Sequence, residues 1–128
     1  MTLKQCYKAL EGDYSGTLAR LYSEQMVQKF LLRFLEDQSY EQLWRSFENH
    51  DYESAFQAAH ILKESAQVLG LLRLFSSSEA LAEALQNGES HNSEVYMGHV
   101  AADYQQTLNA IRQYQMEWDC LLYTSRCV

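Results

Sequence analysis

The sequence predicts an all-α protein, an antiparallel four-helix bundle with short capping helices at its N-terminus. The 128 residues include no Pro and only five Gly, so few positions interrupt a helix. Residues with β-branched side chains are sparse, and no alternating strands are joined by Asn-Gly or Gly-Gly turns. The length is that of one ordinary domain, which we place at residues 1–119.

Four short helices are predicted in the N-terminal part of the chain. The first two cover residues 3–10 and residues 14–22. Ser23 opens the third, because a hydroxyl cap before an acidic first turn is typical of a helix start. Its apolar residues recur with the spacing of one core-facing stripe: Val27, Phe30, Leu31, Phe34 and Leu35. Ser39 is expected to cap the fourth helix, over residues 40–48.

Three longer helices complete the predicted bundle. The first covers residues 52–69 and ends before Gly70, a residue typical of the position just after a helix. The second covers residues 72–86 and is followed by a polar loop at residues 89–92. The third covers residues 93–117 and carries one apolar stripe at helical spacing: Met97, Val100, Ala101, Tyr104, Leu108 and Ile111.

Residues 120–128 are expected to lie outside this domain. Their sequence, Cys-Leu-Leu-Tyr-Thr-Ser-Arg-Cys-Val, does not continue the preceding apolar pattern. The first six residues can be encoded by the mosaic-end adapter of transposase-based sequencing libraries, and the next codons fit its reverse complement. We therefore predict a non-native sequencing-adapter tail, with a native, frayed C-terminus as the alternative.

Charge and hydropathy exclude several classes of partner. Ten Lys and Arg against 17 Asp and Glu give a net charge of −7, the opposite of what a nucleic-acid binder needs. The longest apolar stretch, residues 30–35, contains Arg33, so no membrane span is expected. The sequence lacks a signal peptide and has three scattered cysteines, which predicts a cytoplasmic protein. We also expect a monomer. Cys6 is expected to be packed rather than nucleophilic.

His60 lies on the polar side of the predicted helix over residues 52–69. On a helical wheel, six apolar residues share the opposite side: Ala55, Ala58, Ala59, Leu62, Ala66 and Leu69. An exposed neutral imidazole is a nucleophile that titrates near neutral pH. The two residues before His60 are alanines, whose small side chains leave the imidazole accessible. Lys63 follows one turn on, where it can contact an anion on the ring.

The segment from Ala58 to Gly70 resembles the signature of histidine phosphotransfer (HPt) domains, roughly A-H-x-L-K-G-x-A-x-x-L-G. The fixed positions that this chain matches are Ala59, His60, Leu62, Lys63, Ala66, Leu69 and Gly70. HPt domains are four-helix bundles that carry a phosphoryl group on one exposed histidine. The predicted helix order agrees over about residues 23–117, which is most of the chain.

This resemblance implies that His60 is the phospho-acceptor and that Lys63 stabilises the phosphorylated ring. The chain would then be a phosphorelay intermediate, exchanging the group with the aspartate of response-regulator receiver domains, whose own Mg²⁺ neutralises charge during transfer. A hybrid sensor histidine kinase is a further candidate partner. The residues expected to dock the receiver are Phe56, Ala59, Glu64 and Gln67.

Glu64 departs from the signature, which has glycine at this position. It lies at i+4 from His60 and therefore on the same helix face. Its carboxylate fills space that glycine leaves open, and it repels an added phosphate. Two hypotheses remain open: a competent relay whose rate or receiver choice Glu64 alters, and a degenerate HPt-like module that binds receivers without phosphotransfer.

Other chemistries fit the sequence less well. His60 and Glu64 could ligate a metal as an i, i+4 pair, but bundle metal sites use inward-facing carboxylates on facing helices. No metal or cofactor is therefore predicted. The sequence has no glycine-rich phosphate loop and no Gly-x-Ser-x-Gly elbow, and it is too short for an additional ATP-binding domain. We predict a phosphocarrier, not an enzyme, and ordinary surface positions for His50, His91 and His99.

Overall fold

The computed structural model of the chain describes the backbone of residues 1–87 and 90–126 and the side chains of residues 1–87 and 92–118. Within these ranges the chain forms seven α-helices and no strand, which confirms the all-α prediction. The helices are α1 (Leu3–Leu10), α2 (Tyr14–Leu21), α3 (Glu24–Arg33), α4 (Ser39–Glu48), α5 (Tyr52–Val68), α6 (Leu72–Gln86) and α7 (Ser90–Arg126).

Helices α4 to α7 form the predicted four-helix bundle. Each consecutive pair of these helices packs together, and the short connections make neighbouring helices antiparallel. The core of the bundle contains large aliphatic side chains with no exposed surface: Leu43, Leu62, Leu74, Leu81, Val100 and Ile111. Helix α1 packs against α7, and α3 contacts both α2 and α7. In the part of the chain that the structure describes, no helix is long and apolar enough to span a bilayer.

Two predicted helices, α3 and α4, differ in detail from the structure. Helix α3 ends at Arg33 and is followed by a 3-10 turn, Phe34–Glu36. Ser39 is the first residue of α4 rather than its cap, and Asp37 Oδ1 accepts a hydrogen bond from its backbone N at 2.7 Å. The prediction for Ser39 was wrong because a carboxylate two residues earlier satisfies this free amide.

Helix α7 is longer than predicted at both ends. It begins at Ser90, since polar residues suit a first helical turn as well as a loop, while residues 88 and 89 lie outside the described chain. It continues to Arg126 instead of ending near residue 117, because no Gly or Pro interrupts residues 99–126. A helical backbone does not reveal the origin of its residues, so the adapter tail at 120–128 stays a prediction. Residues 127 and 128 lie outside the described chain.

Residues 1–22, which we call the N-terminal cap, bind the C-terminal end of α5. The hydroxyl of Tyr7 donates a hydrogen bond to the carbonyl oxygen of Leu69 at 2.7 Å. The backbone N of Asp13 donates to the carbonyl oxygen of Gly70 at 2.9 Å. The last carbonyls of a helix have no partner within the helix, so these two bonds satisfy acceptors that would otherwise need water. The cap therefore fixes one end of the helix that carries His60.

Cys6 lies inside this packing, as predicted. It has no exposed surface, and its Sγ lies 3.7 Å from the carbonyl oxygen of Ala110. Burial raises the pKa of the Cys6 thiol from 9.0 to about 11, because desolvation penalises the thiolate. The stability that the neutral thiol contributes is therefore complete below pH 9 and is lost as pH rises through 11.

We expect Cys6 to be almost unreactive in the folded protein. At pH 8 the raised pKa makes its thiolate roughly 100-fold scarcer than that of an exposed cysteine, and burial limits access further. Alkylation by iodoacetamide, located by peptide mass spectrometry, should thus be at least ~100-fold slower in buffer than in urea. Similar rates in the two conditions would show that Cys6 is not held inside the fold.

Candidate functional site

Helix α5 carries His60 near its middle, and specific residues stabilise both of its ends. Asp51 caps the N-terminus, and its Oδ1 accepts a hydrogen bond from the backbone N of Ser54 at 3.2 Å. Hydrogen bonds from the Ser54 side chain and backbone lower the pKa of the Asp51 carboxyl. At the other end Gly70 has a φ of 66°, the left-handed conformation that glycine adopts most readily just after a helix.

The inner face of α5 is the one that the helical wheel predicts. The six apolar residues predicted to face the core are all buried: Ala55, Ala58, Ala59, Leu62, Ala66 and Leu69. Ala59 was also predicted to dock a receiver, but it has no exposed surface and cannot contact a bound protein directly.

His60 lies on the outer face of α5, between Phe56 and Glu64. Its side chain is 46% exposed, and its Nε2 lies 2.9 Å from Glu64 Oε1. The rings of Phe56 and His60 stack with centroids 6.2 Å apart and planes 23° from parallel. Because a carboxylate only accepts hydrogen bonds, Nε2 carries the proton in the contact with Glu64. In this conformation Nε2 has no lone pair with which to attack an electrophile.

Two further predicted residues lie on the outer surface of α5. Lys63 is half-buried and follows His60 by one turn. Among the residues that the structure describes, Lys63 forms no ion pair. Gln67 is exposed one turn beyond Lys63. Phe56, Lys63 and Gln67 all keep some exposed surface, and their predicted roles stay predictions.

A cleft beside Glu64 is a feature that sequence reasoning missed. It has a volume of 310 Å³ and lies between the C-terminal end of α3 and the second half of α5. Phe30, Arg33 and Glu64 are among its lining residues, and the Arg33 guanidinium lies 5.8 Å from the centre of the Phe30 ring. No local pattern could have found Arg33, because it belongs to another helix and enters the site only through packing.

The remaining histidines have different surroundings. His50 has a φ of 57°, and its Nδ1 lies 3.0 Å from the hydroxyl of Tyr52. His99 is exposed on α7 with its ring edge-on to Tyr96. The side chain of His91 lies outside the described residues. Neither His50 nor His99 is followed by a lysine one turn on, which distinguishes His60 from both.

A metal centre is not apparent in this site. Across the described side chains, no three His, Cys, Asp or Glu residues come together in a group that could hold a metal ion. His60 and Glu64, the pair considered as possible ligands, are joined directly by their hydrogen bond. This surface of α5 carries an imidazole bound to a carboxylate, with a lysine one turn further along the helix.

A model of the Hpt domain family matches residues 25–114, from the start of α3 to the second half of α7, with His60 inside the match. The chain belongs to the Hpt domain family. Hpt domains are phosphocarrier modules rather than kinases, and they act with receiver domains in the phosphotransfer of two-component signalling. Comparisons with curated proteins and with solved structures found no significant match.

The Hpt match begins at residue 25 and therefore leaves the whole N-terminal cap outside it. Tyr7 and Asp13, which bind the end of α5, therefore come from a part of the chain that the family pattern does not describe. In this Hpt domain, the histidine-bearing helix is anchored by residues that precede the family segment.

Proposed function

We propose that this Hpt domain is a phosphorelay intermediate that accepts a phosphoryl group on His60 from the aspartate of one receiver domain and donates it to another. The half-exposed imidazole on the outer face of α5 is the observation that carries this proposal. The receiver of a hybrid sensor histidine kinase is a candidate donor. The proposal treats the protein as a monomer.

The transfer step uses the lone pair of His60 Nε2, the ring nitrogen further from Cβ and thus easier for a bound protein to reach. Nε2 bonds to phosphorus while the bond from phosphorus to the aspartate oxygen breaks, and the carboxylate leaves with that electron pair. The ring proton resides on Nδ1 in the reactive tautomer. Lys63 opposes the charge of the added group, which carries nearly two negative charges. Attack on phosphorus by a second aspartate reverses the step.

Phe56, Glu64 and Gln67 form the proposed docking surface around His60. Phe56 stacks on the imidazole and presents part of its ring to solvent, so it offers an apolar contact. Glu64 and Gln67 are exposed and offer polar contacts on the same side of α5. Ala58 and Ala59 are buried and take no part in this surface.

The proposal is tested by incubating the protein with a receiver domain that carries a radiolabelled phosphoryl group. The expected result is a label on the wild type that is labile in acid and stable in base, as phosphohistidine is. His60→Gln should lose this label completely. His99→Gln, which removes an exposed histidine on another helix, should keep it. Label retained on His60→Gln would show that another residue is the acceptor.

The alternative function is a degenerate Hpt module that binds receivers without transferring the group. The hydrogen bond from His60 Nε2 to Glu64 favours it, because it occupies the nitrogen that has to react. This alternative predicts that wild type binds receivers and gains no label, whereas Glu64→Gly does. If neither wild type nor Glu64→Gly gains a label, both the relay and the explanation that Glu64 abolished phosphotransfer are contradicted.

A further inference from the structure

We infer that Glu64 is a specificity-determining gate on His60, and that Arg33 is the residue that holds this gate open. The inference rests on the proposed function, since it concerns the reactivity of His60 towards phosphoryl donors. In the closed state Glu64 binds His60 Nε2, as the structure shows. In the open state Glu64 turns into the cleft between α3 and α5 and pairs with Arg33.

The closed state blocks phosphorylation in two ways. The hydrogen bond places the proton on Nε2, so the lone pair needed for attack is absent. The carboxylate also occupies the side of Nε2 from which a phosphoryl group approaches, and its charge repels that group. When Glu64 leaves, Nε2 can release its proton to water while Nδ1 takes one up from water. The neutral ring then has its lone pair on Nε2.

The cleft between α3 and α5 can accept the carboxylate of Glu64 when it leaves His60. Glu64 and Arg33 line the same 310 Å³ space, and the Arg33 guanidinium lies over the Phe30 ring without an ion-pair partner among the described residues. Glu64 is 61% exposed, so its side chain can rotate without disturbing the core. An ion pair with Arg33 would replace the contact that Glu64 gives up at His60.

A gate of this kind distinguishes between donors. A receiver that displaces Glu64 as it docks exposes Nε2 only within the correct complex, whereas a donor that makes no contact with Glu64 finds the nitrogen protonated. Glycine, the family residue at this position, would leave His60 open to both. Glu64 therefore adds a requirement for partner contact.

Phosphoramidate, a small donor that needs no receiver, tests the gate directly. We expect Glu64→Gly and Glu64→Gln to be phosphorylated on His60 about two- to fivefold faster than wild type, the size of effect typical of an exposed charged contact. Glu53→Gln is the matched control, because it removes the same charge from the outer side of α5 two turns before His60. If Glu53→Gln accelerates the reaction equally, the effect comes from the loss of any negative charge on this helix face, and the inference is overturned.

Arg33 is tested by a double-mutant comparison with the same reagent. Arg33→Gln should slow phosphorylation about two- to threefold in the wild-type background and leave the rate unchanged in the Glu64→Gly background. The same slowing in both backgrounds would show that Arg33 does not act through Glu64. The ring ¹⁵N shifts of His60 give an independent readout. At a pH where the ring is neutral, the fraction with the proton on Nε2 should fall from wild type to Glu64→Gly.

These measurements distinguish a failure of the proposed gate from a failure of the proposed relay function. No transfer from any receiver to any variant, with the phosphoramidate pattern intact, would overturn the proposed function and leave the control of His60 reactivity by Glu64 in place. Transfer from a receiver to wild type, with unchanged phosphoramidate rates and ring tautomers in the Glu64 variants, would overturn the gate alone.

Discussion

Gly70→Ala is expected to destabilise the protein by about 3 kcal/mol, the sum of left-handed backbone strain and overpacking. Gly70 has a φ of 66°, and its neighbour Leu71 donates a backbone hydrogen bond to Ala66 at 2.8 Å, which closes the end of α5. A Cβ at this position would collide with Thr17 Oγ1 and lie 2.8 Å from the backbone oxygen of Asp13. Neither neighbour can move easily, because Thr17 is fully buried and hydrogen-bonded to Asp13.

Gly98→Ala is the matched control for this prediction. Gly98 lies within α7, and a Cβ there would meet nothing within 4 Å. It should therefore stabilise the protein by about 0.5–1 kcal/mol, because alanine loses less backbone freedom than glycine when a helix forms. Urea unfolding followed by circular dichroism measures both free energies. Two small, similar changes would show that the junction between α5 and the N-terminal cap tolerates a side chain.

Tyr7→Ala is expected to cost about 3–5 kcal/mol, the range for truncating a large buried aromatic residue. Tyr7 is 1% exposed, and its ring lies against that of Tyr14, with centroids 5.4 Å apart. Its hydroxyl also binds the carbonyl oxygen of Leu69. Removal of the side chain thus leaves both a cavity and an unpaired acceptor at the end of α5.

Two other tyrosine variants separate these contributions. Tyr7→Phe keeps the ring and should cost about 1–2 kcal/mol, the penalty for leaving the Leu69 carbonyl without its partner. Tyr22→Ala removes a side chain that is 92% exposed and should change stability by less than about 0.5 kcal/mol. A Tyr7→Ala protein as stable as wild type would mean that the N-terminal cap is an appendage and that the family segment folds without it.

These stability predictions bear on function because both concern the C-terminal anchor of α5. His60 and Lys63 stand on the same helix, and their separation depends on regular helical geometry between them. The anchor at Gly70 and the cap at Asp51 fix the two ends of that helix. We therefore expect the N-terminal cap, residues 1–22, to influence phosphotransfer by keeping α5 ordered rather than by contact with a receiver.

Much of α5 was predictable from the sequence because helical periodicity records which face of a helix is buried. Leu62 and Ala66 fall on the inner side of the wheel and are buried, while His60 falls on the other side and is exposed. Gly70 marked the end of the helix through its conformational preference. The same reasoning left Ala59 with two incompatible roles, core and docking, and the structure assigns it to the core.

The local sequence by itself determined where most of the helices lie, the end of α5 and the exposure of His60, because each depends on residues within a few turns of one another. Only the tertiary structure decided that Tyr7 binds Leu69 and that Arg33 shares a cleft with Glu64. These contacts join residues far apart in the chain. A periodic pattern shows that a helix has a face to bury, but it does not say which helix covers that face.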